Sequence, residues 1–291
     1  MRDVRFESGP EFSKVVSGEK EILYPHLMLE LAQDAYPELS VQEVRENLEQ
    51  LSRRAHQFLE STSATPTEGL SEEESHAAIR SRLQGISDFL YQVEGFHGNL
   101  EDYYDPRNSY LHEVLQRKTG IPISMALLYQ TVAEGVGILL KGINSPAHFM
   151  LGCFAAEPLI LIDPFTGQLL TEEEAREQLI HLTGQPIALA DYTFTSASPW
   201  QITTRMLRNL KAAYLARHEW SQALPVQQRL ITLSPDEYRE YRDLGLIWVH
   251  LYQGPPALEA FKTFQEEATA AEKEEIEPFL LAANKLIAEL N

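Results

Sequence analysis

Thr119-Gly120-Ile121-Pro122-Ile123-Ser124-Met125-Ala126-Leu127-Leu128-Tyr129 is the stretch on which the fold turns. Pro122 has its φ preset for a first helical turn and needs no amide partner there, and Thr119 or Gly120 is expected as the cap. The spacing predicts a helix over 123–134, ended by Gly135 and Gly137. Met125, Ala126, Leu127, Leu128, Tyr129, Val132 and Ala133 leave it no continuous polar face, and a helix apolar nearly all round belongs inside a fold.

On the C-terminal side, residues 138–143 read as a short buried strand, 148–154 as a second and 159–162 as a third. The turn Asp163-Pro164-Phe165-Thr166-Gly167 stops the last of them. One buried helix against a small antiparallel sheet makes an α+β core. On the N-terminal side stands a polar loop, Gly98-Asn99-Leu100-Glu101-Asp102-Tyr103-Tyr104-Asp105-Pro106-Arg107-Asn108-Ser109. Asn99, Asp102, Tyr103, Tyr104, Asp105, Arg107 and Asn108 are its candidate binding residues, because loops beside a cleft commonly carry recognition groups. The competing reading is that the Asp, Asn and Arg side chains satisfy the loop's own backbone.

Residues 98–109, Gly-Ile-Pro-Ile-Ser at 120–124, Pro-Ala-His-Phe at 146–149 and Asp-Pro-Phe-Thr-Gly at 163–167 together resemble the SirB-type transglutaminase-like family. The first two motifs are specific, and the last two fit by order and spacing. The resemblance implies a papain-like core followed by tetratricopeptide helices. It also implies a nucleophilic Cys opening the central helix, a His on the next strand and an Asp on the strand after it. His148 falls on the His position and Asp163 on the Asp position, but no Cys stands at the Cys position. The segment 120–130 offers Ser124 as its nucleophile. A Cys at a helix start is activated as the thiolate, whereas a Ser hydroxyl needs a well-aligned base, so the exchange argues for lost or changed chemistry. Cys153, the chain's one cysteine, would face away from His148 on a regular strand and reads as a buried structural residue.

His97, His112, His148 and Asp105 invite a metal reading, but no HExxH, CxxC or other recognised ligand spacing is present, so neither a metal nor a cofactor is expected. A formal net charge of −19 over 291 residues argues against nucleic-acid and anionic-membrane partners, which need a basic footprint. A lone cysteine excludes a disulfide framework, and with no apolar leader or membrane-length run the expected location is cytoplasmic.

Residues 1–95 read as a helical cover: Leu23, Leu27 and Leu31 recur at four-residue steps, and Val41, Val44, Leu48 and Leu51 line a second helix. A loop is expected over 61–69, then a helix to 93 opened by a Ser71/Glu74 capping box. Residues 96–185 form the transglutaminase-like core, and a linker over 184–199 leads to all-α repeats over 200–291. Leu207, Leu210, Tyr214, Ala223 and Leu230 recur about 34 residues later as Tyr241, Leu244, Trp248, Ala257 and Phe264, which is the tetratricopeptide period. Two functions are compatible with these features. One is a non-catalytic or chemically altered protein that binds a protein or peptide partner. The other is a serine-dependent hydrolase or acyltransferase in which Ser124 attacks a carbonyl, His148 takes its proton and Asp163 orients the imidazole.

Overall fold

The computed structural model describes residues 9–62, 71–185 and 193–289. Most of the loop expected over 61–69 and the middle of the linker expected over 184–199 lie outside the described residues; Ser61 and Thr62 still belong to a helix. The chain divides into two compact units, one of Lys20–Ile202 and one that groups Met1–Glu19 with Thr203–Asn291. No helix among the described residues is long and apolar enough to cross a membrane.

The fold of the first unit is α+β. Helices α2 (Tyr24–Gln33), α3 (Val41–Thr62) and α4 (Glu72–Ser87) pack on α6 (Pro122–Gly135), which buries ten of its residues from Pro122 to Ala133. Leu27 and Leu31 of α2 and Val44, Leu48 and Leu51 of α3 are buried, as the sequence periodicity predicts, whereas Leu23 precedes α2 and is exposed and Val41 is half-buried at the start of α3. Ser71 closes its capping box with Glu74. The helix expected to run to 93 ends at Ser87 and widens into a π-helical turn, Asp88–Val93. Tyr91 on that turn donates its hydroxyl to the Pro164 carbonyl and so ties the cover to the turn after Asp163.

The sheet is antiparallel throughout, in the order β3 (Lys141–Asn144), β4 (Phe149–Cys153), β5 (Ile160–Asp163) and β6 (Gln168–Leu170). Helix α6 packs on β4, and α7 (Glu172–Thr183) packs on β5 and β6. Ile143, Met150 and Leu161 form a core cluster with Ala175, Leu179 and Phe194. Two details differ from the sequence reading. The first strand starts at Lys141 rather than 138, because its ladder to β4 runs out where Lys141 faces Gly152. A fourth strand forms after Gly167, whose φ of +77° closes the turn. The short β1 (His97–Gly98) pairs in parallel with β2 (Thr119–Gly120), with α5 (Leu111–Arg117) between them in sequence, so both ends of the polar loop region are fastened beside the entry to α6.

The second unit is all-helical among the described residues. It holds α1 (Pro10–Val16), the main part of α8 (Pro199–Ala216), α9 (Trp220–Leu233), α10 (Tyr238–His250), α11 (Gly254–Glu267) and α12 (Ala270–Ala288). The first helix, read from sequence as part of the cover over 1–95, groups here instead, because fully buried Phe12 lies under the guanidinium of buried Arg229, 4.7 Å from the ring centroid. Gly245 of α10 lies so close to Phe261 of α11 that an added Cβ would sit 2.4 Å from the ring, which is why the small residue is needed where the helices cross. Thr269 caps α12.

Candidate functional site

Asp163 closes β5, and His148 sits one residue before β4 rather than on it. Ala147 adopts φ +59° and the His148 amide donates to Pro146 O at 2.7 Å, so a tight turn delivers the imidazole. Its Nε2 lies 2.7 Å from Asp163 Oδ1. Three further donors hold the carboxylate: the Phe165 amide at 2.9 Å, the Thr166 hydroxyl at 3.0 Å and Gln178 Nε2 at 2.9 Å. Burial pushes the Asp163 carboxyl up, but the His148 hydrogen bond and charge, with Gln178 and the Phe165 amide, more than offset it and hold it below the usual carboxylate range. An ionised Asp163 places an imidazole proton on Nε2, which turns Nδ1 away from the carboxylate. Both side chains are nearly buried, at 7% exposure for His148 and 1% for Asp163.

Ser124 is not part of that pair. Its hydroxyl lies 2.6 Å from Asn108 O and 3.0 Å from Ile121 O, and it accepts the Ile121 amide at 3.2 Å. A hydroxyl carries one proton and two lone pairs, and here they serve the helix start and the loop. The cap of α6 is therefore Ser124 reaching back to Ile121, not Thr119 or Gly120 as the sequence suggests. Among the described residues no hydrogen bond joins Ser124 to His148, and no other hydroxyl or thiol is bonded to His148. Cys153 is buried on β4, and burial pushes its thiol up, away from the reactive thiolate.

The polar loop is knitted internally. Asn99 Oδ1 accepts the amides of Glu101 and Asp102, and its Nδ2 donates to Asn108 Oδ1. Asn108 Nδ2 donates to the carbonyls of Asp102 and Tyr103. Asp105 caps the short turn Pro106–Ser109 through the Arg107 amide and takes the Arg107 guanidinium at 2.7 Å and that of Arg117 at 3.1 Å. Burial pushes the Asp105 carboxyl up, and the Arg107 hydrogen bonds with the Arg117 charge more than reverse it. Thus Asn99, Asp105, Arg107 and Asn108 build the loop, as the competing reading has it. Asp102 is exposed, and Tyr103 and Tyr104, with rings 5.6 Å apart edge to face, are 41% and 55% exposed beside Leu100 at 84%.

Gln178, Tyr91 and Arg117 were not singled out in the sequence, since nothing in a helical Gln or a buried Tyr marks it as a support for a carboxylate or turn two elements away. Among the described residues no group of three or more His, Cys, Asp or Glu side chains could hold a metal ion. His97 contacts its own turn at Gly95 O, and His112 packs against the rings of Tyr36 and Tyr110, which also touch each other.

A buried helix leading into an antiparallel sheet that brings a His and an Asp into a hydrogen bond is the layout of a transglutaminase-like domain, and tetratricopeptide helices follow it. The family model described as transglutaminase-like superfamily matches residues 42–208, more than half of the chain, and one described as tetratricopeptide repeat matches 210–277. The chain is 35% identical over 187 residues to a UPF0162 protein of Xylella fastidiosa, covering 63% of this chain and 66% of that one. It is 30% identical over 188 residues to a UPF0162 protein of Vibrio cholerae, covering 64% and 70%. It therefore belongs to the transglutaminase-like superfamily, within the UPF0162 family. F-box only protein 21 of Mus musculus is 41% identical over 137 residues, 44% of this chain and 21% of that protein. The chain spans just under two thirds of the length of the Xylella relatives it matches, 66% and 62%. No solved structure matches it.

Proposed function

We propose that this protein is a non-catalytic or chemically altered member of the superfamily that binds a protein or peptide partner, using the 98–109 loop, the relict site at His148 and the repeat helices. The observation that carries this reading is the engagement of Ser124: its hydroxyl is 1% exposed and spent on the start of α6. A His148–Asp163 pair without a nucleophile can still recognise a ligand, because Asp163 engages Nε2 and leaves Nδ1 outside the pair. The loop adds two exposed tyrosines, the residue type most enriched at interface hot spots together with Trp and Arg. Tetratricopeptide helices support a protein or peptide as the ligand. The SirB-type resemblance at 98–109 and 120–124 and a cytoplasmic location belong to the same reading, the latter resting on the acidic balance and a single buried cysteine.

The serine-dependent alternative gains no support from this geometry, since the attacking hydroxyl would first have to leave its three partners. The test pairs chemistry with binding. Purified protein and its Ser124→Ala and His148→Ala variants are assayed on nitrophenyl acetate and on amide substrates, and partner capture is compared for wild type, Ser124→Ala and Tyr103→Ala/Tyr104→Ala. No turnover above background in wild type or either variant, with capture kept by Ser124→Ala and lost in the double tyrosine variant, is the expected result. Turnover abolished by Ser124→Ala and by His148→Ala overturns the proposal in favour of the hydrolase.

A further inference from the structure

A trough of about 500 Å³ runs between α3 and α5, lined by residues that neither the dyad nor the 98–109 loop uses. Glu43, Asn47, Gln50 and Arg54 follow one another along α3 at steps of four, three and four, so they form one stripe on a single helix face. From Glu43 to Arg54 the helix advances about 16 Å at about 1.5 Å per residue. The opposite wall carries His112 and Gln116 of α5, and Lys118 joins Arg54 at the far end.

The two ends differ in charge. Arg54 Nη1 and Lys118 Nζ are both held by one carboxylate, Glu94, at 2.8 and 3.2 Å, and Lys118 Nζ stands 4.3 Å from the Phe96 ring centroid. Two cations fixed by one acid leave a net positive charge with further N–H donors. Glu43 gives the other end a negative charge, and between the ends lie side-chain amides that both donate and accept. His112 is left incomplete: both ring nitrogens are shielded from solvent and neither has a hydrogen-bond partner among the described residues. Glu113 Oε1, 4.0 Å from Nε2, is too far for a hydrogen bond and accepts the Tyr36 hydroxyl. An unsatisfied buried group of this kind is destabilising, which makes it an unusual thing to keep in a wall. Burial pushes the imidazole's pKa down, so at neutral pH it offers one donor and one acceptor, the same complement as a peptide group.

We infer that the trough is a binding site for a short extended peptide, with its amino end at Glu43, its carboxylate at Arg54 and Lys118, and its backbone amides against Asn47, Gln50, Gln116 and a turned His112 ring. At about 3.3–3.6 Å per residue, about five residues span the distance between the two charged ends. The volume lies within the range of small-ligand sites, about 300–1,000 Å³. The site is separate from the partner surface proposed above and stands independently of it.

Affinity selection on the full chain with a random pool of pentapeptides with free termini tests this directly. Members of the pool should be retained by wild type, and at least tenfold less by Arg54→Ala and by Gln50→Ala, two exposed positions whose variants are first checked for an unchanged melting temperature. The same pool acetylated and amidated at its ends should not be retained. Binding of a recovered peptide should shift the His112 ring resonances in histidine-labelled protein, assigned with His112→Gln. The inference is overturned by any of four results: no peptide retained, equal retention of the blocked pool, retention indifferent to Arg54→Ala and Gln50→Ala, or retention lost in Tyr103→Ala alone, which would place the peptide on the loop. A His112 shift with inorganic phosphate or free glutamate but with no pentapeptide overturns it too, in favour of a small anion.

Discussion

Replacing Ser124 with alanine separates the structural from the catalytic account of this residue. The substitution removes the acceptor of the Ile121 amide and the donor to Asn108 O, both in a site that is 1% exposed. Loss of a helix cap costs about 0.5–2 kcal/mol, and a buried group left unpaired costs about 1–3 kcal/mol. The Ile121 amide keeps a long contact of 3.4 Å to Asn108 O, which softens the loss, so about 2 kcal/mol is expected. For a unit of this size that corresponds to a fall of about 4–8 °C in its melting temperature. Calorimetry or near-ultraviolet circular dichroism on the purified chain reads it, alongside nitrophenyl acetate turnover. Ser124→Cys should lose less stability than Ser124→Ala, since a thiol still donates and accepts weakly. A Ser124→Ala protein that melts within about one degree of wild type while losing a turnover that wild type possesses would refute the reasoning, because it would show a hydroxyl used in chemistry and idle in structure.

Asp163→Asn removes a carboxylate whose pKa lies below its ordinary value, so the stability it contributes is complete above the unfolded pKa and lost as pH falls through the folded one. Below about pH 5 the wild-type melting temperature should therefore fall more steeply than that of Asp163→Asn, as a pH series of thermal melts would read. Gly98→Ala places a Cβ 2.3 Å from the Phe165 ring, and Gly167→Ala places one 2.4 Å from Tyr91 at a φ of +77°; each should destabilise the first unit by about 1–3 kcal/mol in urea titration. In the second unit, Glu240 accepts Lys211 Nζ at 2.6 Å and Gln227 Nε2 at 2.9 Å while nearly buried. Glu240→Ala should cost about 1–3 kcal/mol in chemical denaturation, because it removes a charged acceptor from Lys211 and Gln227, which keep Asp243 Oδ2 at 2.8 Å and the residue-240 carbonyl at 2.7 Å.

The central helix was legible because its signals are local: Pro122 sets its start and an unbroken apolar face sets its depth, whereas His148 and Asp163 were marked by the family resemblance and their contact was not readable. Other features were not legible because they are made by contact. Nothing near Ser124 says that Asn108, sixteen residues earlier, would take its proton. Gln178 becomes a support for Asp163 only after α7 folds back over β5. The first helix has an ordinary amphipathic pattern, and its grouping with the C-terminal helices follows from one aromatic ring meeting Arg229. The polar loop divides along the same line: the residues that look most chemical, Asp105 and Arg107, form the frame, whereas nothing in the 98–109 motif says that Leu100 and the tyrosines stay exposed.

Asn108 fastens three things with one side chain and one carbonyl: the Asp102 and Tyr103 carbonyls, Asn99, and through Ser124 the first turn of the central helix. The loop is thus held by its own side chains. Ordering a loose segment upon contact costs about 1 kcal/mol or more for each residue fixed. A partner meeting Tyr103 and Tyr104 encounters backbone whose freedom was surrendered at folding, so association on this face should resemble rigid docking, with little structural rearrangement and affinity differences expressed mainly as dissociation rates.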